Sequence, residues 1–304
     1  MPKVRPFRAI YGAVLRMSPG VAPRLEKFVW RVVYEGASLR KSWTSLMNYG
    51  YAPLEGQAPV PQADGVGYGY QLYAKLAASA DMAGKDVLEV GCGRGGGTAF
   101  VHERFHPRSM TGVDLARRAI EYCCATYPRP GLQFMVGDAE NLPFANSSFD
   151  VVLNVESSHC YADMPRFLGE VRRVLRPGGL LLLADARVTA LSAEDQPLLH
   201  TDDVARLRTQ LEQARFRTIE EEDITRNVMR ALELDTPDRR ARIECRVPRF
   251  LRPHVHAFAA AEGSPMYQAY VEGKRTYLRF VLQPVSAGES ATPSGGSVAP
   301  AGAA

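Results

Sequence analysis

No stretch of this sequence reaches eighteen consecutive apolar residues, the length that marks a membrane-crossing helix. No stable membrane insertion is therefore expected. The opening residues, "MPKVRPFRAIYGAVLRMSPG", lack a long apolar stretch and a small-residue cleavage site, so no secretory signal is read there. Cysteine is scarce. Cys92, Cys123, Cys124, Cys160 and Cys245 make an odd set of five, with one adjacent pair and no CxxC. That argues against a disulfide framework and against structural zinc, and it suits a reducing cytoplasm, the expected location. His102, His106, His200, His254 and His256 show no ligand spacing with His159, so no metal is expected. Acid is nearly missing from the first segment, where Lys3, Arg5, Arg8, Arg16, Arg24, Lys27, Arg31, Arg40 and Lys41 face only Glu26 and Glu35. A solvated helix face is the expected reading; peripheral contact with an acidic membrane surface or ligand is the alternative.

The 304 residues suffice for one large core or two small ones. The first fifty read as helical pieces broken at Pro19-Gly20 and Pro23, followed by the Pro/Gly-rich loop "YAPLEGQAPVPQADGVGYG" and a helix at about 70–80. Then the period alternates. "DVLEV", "SMTGVDLA", "LQFMV", "FDVVLNVES" and "LLLLADAR" read as strands, and helical stretches such as "TAFVHERF", "RRAIEYCCATY" and "MPRFLGEVRRVLRPGG" separate several of them. Pro-Gly-Gly is expected to close the last of these helices. Nearly continuous apolar strands joined by helices predict an α/β fold, a Rossmann-like doubly wound and mostly parallel sheet. A helix at about 202–214 and a sixth strand, "FRTIEEEDIT", follow. Residues 226–273 read as helical, interrupted at Pro237, Pro248 and Pro253. "RTYLRFVLQP" reads as a late antiparallel strand at or near an edge. The division expected is a helical lid segment over 1–64, one domain over 65–284 with a helical lid insertion at about 226–273, and a disordered Ser/Gly/Ala/Pro-rich tail over 285–304.

"EVGCGRGGG" lies at a strand-to-helix turn, where bare glycine backbone lets a ligand approach the helix N-terminus. A dinucleotide fold carries a similar turn. Glu89 stands before the glycines and would repel a pyrophosphate. Asp114 ends the second strand, where it can accept from two ribose hydroxyls. Asp138 ends the third, placed for an adenine amino group. An acid at three successive strand ends suits a cationic nucleoside without phosphates, S-adenosyl-L-methionine. The bland readings are a structural ion-pair partner for Glu89 and a helix cap for Asp114.

"VLEVGCGRGGG", "TGVDL", "GDAENLPFANSSFDVVLNVESSHCY" and "VRRVLRPGG" resemble class I S-adenosylmethionine-dependent methyltransferases, in particular the phthiotriol/phenolphthiotriol dimycocerosate O-methyltransferases, over about residues 65–284. The resemblance implies cofactor positions at Glu89, Gly91, Gly93, Asp114, Leu115, Asp138, Ala139 and Asn154. It implies an apolar or aromatic small-molecule substrate methylated on a hydroxyl. "NVESSHCY" stands where amino-group methyltransferases of nucleic acids often carry an Asn/Asp-Pro-Pro-aromatic string, so no nucleic-acid partner is expected.

That string ends on His159 and Cys160. Methyl transfer from a sulfonium needs no thiol nucleophile, and Cys160 is expected in packing. A histidine titrating near ~6.5 can accept an alcohol proton as general base. Related sugar O-methyltransferases look similar, which implies roles for His159 and for Asp185 after the fifth strand, the latter orienting the imidazole or binding substrate. The bland reading of His159 is a satisfied structural histidine. Tyr49, Tyr51, Phe250, Phe258, Tyr267 and Tyr270 are candidates for an apolar wall or for ordinary core. The alternatives are C- or N-methylation of an aromatic metabolite and a catalytically silent cofactor-binding protein. Oligomeric state is open.

Overall fold

In a computed structural model the described residues are 45–190, 203–247, 249, 252, 255–256 and 259–285. The basic segment before residue 45, His200, Phe250, His254, Phe258 and the tail after Val285 lie outside them.

Helix α1 (Tyr68–Ala77) leads into strand β1 (Asp86–Val90), α2 (Gly96–Phe105), β2 (Ser109–Asp114), α3 (Arg117–Thr126), β3 (Leu132–Val136) and β4 (Phe149–Val155). A 3-10 turn (Ser158–Cys160) precedes α4 (Met164–Val174) and β5 (Leu175–Val188). After α5 (Val204–Gln213) and β6 (Phe216–Asp223) come the long α6 (Thr225–Arg246), α7 (Pro265–Val271) and β7 (Arg275–Pro284). The strands form one seven-stranded sheet in the order β3-β2-β1-β4-β5-β7-β6. The β1–β2, β1–β4, β2–β3 and β4–β5 pairs are parallel. Strand β7 runs antiparallel to β5 and to β6, one place in from the edge.

The side-chain alternation of a strand divides the core between the two faces. Val87 packs in a cluster with Leu72, Leu76 and Val101, whereas Leu88 and Val90 pack with Phe167, Leu168 and Val171. Helix α4 shows the local logic. Its N-cap Asp163 accepts from the Arg166 N–H, Pro165 occupies the first turn, and Met164, Phe167, Leu168, Val171 and Val174 form the buried stripe. The Ser264 hydroxyl caps α7 in the same way.

Two expectations are corrected. Pro-Gly-Gly does not close α4: the helix ends at Val174, and residues 175–179 already belong to the fourteen-residue β5. Pro177 bars the residue before it from helical dihedrals, so the chain is extended there. Nor does Pro237 interrupt its segment, because α6 passes through it as one helix of 22 residues. On that turn the Thr236 hydroxyl donates to the Leu232 carbonyl at 2.6 Å. Val285 is buried and donates to the Arg215 carbonyl, so the packed chain reaches one residue into the expected tail.

Strands β1 and β4 are neighbours whose connections leave to different sides. The crevice beyond their carboxyl ends is where open α/β sheets take ligands.

Candidate active site

The glycine loop lies at that crevice. Gly91, Gly93 and Gly95 have φ of +77°, +53° and +72°, the left-handed region that glycine enters without strain. At Gly91 space is also tight: a Cβ would come within 1.8 Å of Ser157 Oγ and 2.8 Å of the Tyr161 hydroxyl. Gly91 and Cys92 both donate backbone N–H to the Val113 carbonyl, tying the loop to β2. Asp114 Oδ2 accepts from Gly93 N and Oδ1 from Ala116 N, each at 2.9 Å. The carboxylate thus clamps the loop and braces the start of α3, and it also faces a cavity.

The cavity wall includes Gly91, Gly93, Asp114, Leu115, Asp138 and Ala139. Six of the eight expected cofactor positions therefore meet around one space. Glu89 and Asn154 stand one layer behind it. Glu89 is fully buried, accepting from the Tyr73 hydroxyl at 2.7 Å and from Thr98 Oγ1. Burial pushes its carboxyl up to about 7, against the pull of those two hydrogen bonds. Tyr73 itself reaches the cavity, so Glu89 acts on it through a phenol. Asn154 Nδ2 donates to the Val90 carbonyl at 3.0 Å and to the Tyr161 hydroxyl at 2.9 Å, fixing another wall residue.

Sequence reasoning missed several wall residues. Glu156 follows β4 with φ +49°, and its Oε2 accepts from Tyr49 N at 2.8 Å and the Tyr277 hydroxyl at 3.0 Å. Burial pushes this carboxyl to about 7, although the Tyr49 N–H and the nearby His159 draw it down. It stands inside "NVESSHCY", where its conformation was the unread signal. Residues 45–48 also line the cavity, from a strap with no motif of its own. Gly96 N donates to Ser45 O, and Arg239 donates to the Asn48 and Tyr49 carbonyls. The same four strap residues form one wall of a second cavity of about 450 Å³.

His159 and Asp185 are brought together. His159 Nδ1 lies 2.8 Å from Asp185 Oδ1, and the His159 backbone N–H donates to Oδ2 at 2.9 Å. Asp185 is 1% exposed and also accepts from Ser158 Oγ and Ala186 N, with the Arg187 guanidinium at 3.0 Å. The contact with the imidazole is the geometry that one of its two expected roles requires. The His159 side chain keeps 27% of its surface exposed. Burial draws the imidazole down, but the Asp185 carboxylate more than offsets this and leaves it well above its ordinary value. Asp185 is held far below the carboxylate range despite its burial, by His159 and then Arg187. Cys160 is not in packing, as expected from sequence, but half-buried on the cavity wall. Tyr51, Tyr267 and Tyr270 are core, whereas Tyr49 lines the second cavity. Among the described residues no group of three or more His, Cys, Asp or Glu is placed to hold a metal.

The cavity suits an adenosyl sulfonium in its donors and acceptors. It has bare glycine backbone at the first loop, carboxylates at the ends of β2 and beyond β3, and a third carboxyl, Glu156, at the end of β4. Comparison with known proteins agrees. A family described as a methyltransferase domain matches residues 88–183. The phthiotriol/phenolphthiotriol dimycocerosates methyltransferase of Mycobacterium leprae (strain TN) is 38% identical over 209 residues, 69% of this chain and 73% of that one. A fatty-acid O-methyltransferase of Mycolicibacterium smegmatis (strain ATCC 700084 / mc(2)155) is 45% identical over 175 residues, 57% of this chain and 63% of that protein. Among solved structures, a geranyl diphosphate methyltransferase in complex with SAM shares the fold with a TM-score of 0.60 at 17% identity, covering 79% of this chain and 99% of that one. The chain belongs to the class I S-adenosylmethionine-dependent methyltransferases, in the family of the phthiotriol and phenolphthiotriol dimycocerosates methyltransferases.

Proposed function

We propose that this protein transfers a methyl group to an oxygen of an apolar, lipid-like acceptor, with His159 as the general base where that oxygen is a hydroxyl. The observation that carries the reading is the His159–Asp185 pair at 2.8 Å, beside the crevice. An ionised carboxylate only accepts, so Nδ1 carries the proton and Nε2 is left as the basic nitrogen. The similarity to a phthiotriol/phenolphthiotriol dimycocerosates methyltransferase and to a fatty-acid O-methyltransferase supports a lipid-like acceptor.

S-adenosylmethionine supplies an activated methyl group when bound. Asp114 and Asp138 would hold its ribose and adenine, with Leu115 and Ala139 against the ring. Gly91 and Gly93 would admit it to the backbone. Tyr73, positioned by Glu89, and Glu156 would face its cationic end. Holding acceptor and methyl carbon in line supplies roughly 7–11 kcal/mol of the barrier lowering. A base adds about 10²–10⁴-fold. His159→Ala should therefore lower kcat by about 10²–10⁴-fold with an alcohol acceptor, while calorimetry finds cofactor affinity nearly intact. Loss of cofactor binding instead would make His159 structural.

A further inference from the structure

A single segment, residues 45–48, stands between the cofactor cavity and the second cavity of about 450 Å³, and its four residues line both. The next residue places the junction. Tyr49 lines the second cavity, and its backbone N–H donates to Glu156, on the cofactor wall at the end of β4. Three residues beyond Glu156, on the 3-10 turn, stands His159. The second cavity thus adjoins the β4 side of the cofactor site, the side that carries the proposed base.

The polar groups around the second cavity are engaged with one another. Ser45 Oγ bonds the Tyr70 hydroxyl at 2.9 Å, and Asn48 Nδ2 donates to the Gly69 carbonyl at 3.2 Å. Asp235 pairs with Arg239 at 2.6 Å and with Arg242 at 3.0 Å. Arg239 also donates to the Asn48, Tyr49 and Ala259 carbonyls. What the wall offers a ligand is the apolar surface of Leu46, Met47, Tyr68, Ile243, Val247 and Val255. The size falls in the range of small-molecule sites, and such a wall takes hydrocarbon. Met47 belongs to both spaces. Its Cε lies 3.2 Å from the position a Cβ would take on Gly93, in the glycine loop. It is also a large apolar side chain left 39% exposed. Hydrocarbon in the second cavity would cover it.

We infer that the second cavity seats the hydrocarbon tail of the acceptor and that Met47, between tail and cofactor, is a specificity-determining residue. This rests on the reading that the acceptor is a lipid oxygen. The seated tail holds the oxygen end at the junction with the cofactor cavity. There an oxygen–methyl bond forms as the sulfur–methyl bond breaks, the electron pair stays on sulfur, and the proton of a hydroxyl acceptor goes to His159.

The test uses the full chain, labelled S-adenosylmethionine and four probes: 1-dodecanol, dodecanoic acid and their six-carbon counterparts. At least one twelve-carbon probe should exceed its counterpart in kcat/KM by about tenfold or more, since each buried methylene is worth about fourfold. Two variants fill the cavity away from the cofactor. A Cβ on Gly67 meets nothing within 4 Å, and the residue's φ is −67°. Ala259 lines the same space. Gly67→Phe and Ala259→Leu should each shrink the preference for twelve carbons, while calorimetry finds cofactor affinity unchanged. Met47→Ala should raise KM for the twelve-carbon probe about tenfold with kcat little changed, and Met47→Leu should restore it. Equal use of six and twelve carbons would overturn the tail seat while leaving the methyltransferase reading intact. So would a preference for twelve carbons that none of these variants changes. If S-adenosylmethionine binds but no probe is methylated, calorimetry with dodecanoic acid decides. Binding that the filling variants abolish keeps the seat and removes the lipid-oxygen reading; no binding removes both.

Discussion

Asp185 receives donors from His159 Nδ1, the His159 and Ala186 amides and Ser158, and it pairs with Arg187. Its removal would strand a guanidinium that is 2% exposed. Asp185→Ala should cost about 3–5 kcal/mol in denaturant unfolding, as breaking a buried pair does. Asp185→Asn keeps the shape but removes the charge that raises His159, while burial still draws the imidazole down. With a hydroxyl acceptor, kcat/KM should rise with pH through an apparent value above ~6.5 in wild type and through a lower one in Asp185→Asn. A profile unmoved by Asp185→Asn would remove His159 from the rate. Stability follows the same charges. The folded value of His159 lies above its unfolded one, so its contribution is full below about pH 6.5 and is lost as pH rises through the folded value. Asp185, held low, loses its contribution only as strong acid protonates it. His159→Gln should therefore cost more stability at pH 6 than at pH 9, read from urea midpoints.

At the scale of elements, the turn between β1 and α2 is the most constrained. Gly91 combines a positive φ with a Cβ position inside Ser157, which belongs to the segment after β4. Gly97, in the first turn of α2, would place a Cβ 1.9 Å from the Tyr73 ring. Neither can be replaced without moving a neighbour that lines the cavity. Gly91→Ala should weaken S-adenosylmethionine binding by about five- to 150-fold by calorimetry, because strain at such a dihedral costs of order 1–3 kcal/mol. Gly178 makes the contrast. Its φ is +79°, but nothing lies within 4 Å of its Cβ position, so Gly178→Ala should leave cofactor affinity unchanged.

For the whole molecule, the cofactor cavity draws on segments from residue 45 to Tyr161, and the strap is tied down by Arg239 on α6. A ligand bound there holds distant parts of the chain together. At about a hundred times its Kd, S-adenosylmethionine should add about 2.7 kcal/mol. In thermal scans that is a rise in Tm of roughly 5–11 °C for a domain of this size, and NAD should give none. A rise with NAD equal to that with S-adenosylmethionine would contradict the assignment of the acidic strand ends. Among the described residues no helix is long and apolar enough to cross a membrane.

By itself the sequence determined the alternation of strands and helices, the antiparallel β7, the glycine turn, and acids at successive strand ends. Each depends on residues near one another in the chain: a period of two or 3.6, a glycine where φ turns positive, a carboxylate closing an apolar run. The relation of His159 to Asp185, 26 positions apart, was legible only as a resemblance; the 2.8 Å contact comes from β4 and β5 lying side by side. Tertiary structure alone decided that Glu89 and Asn154 stand behind the wall and that Glu156 stands on it. Which carboxyl reaches the cavity depends on neighbours such as Tyr73 and Tyr161, which other elements supply. The same holds for the strap over residues 45–48 and for the second cavity. Neither has a local pattern, because the partners that define them lie far away in the chain.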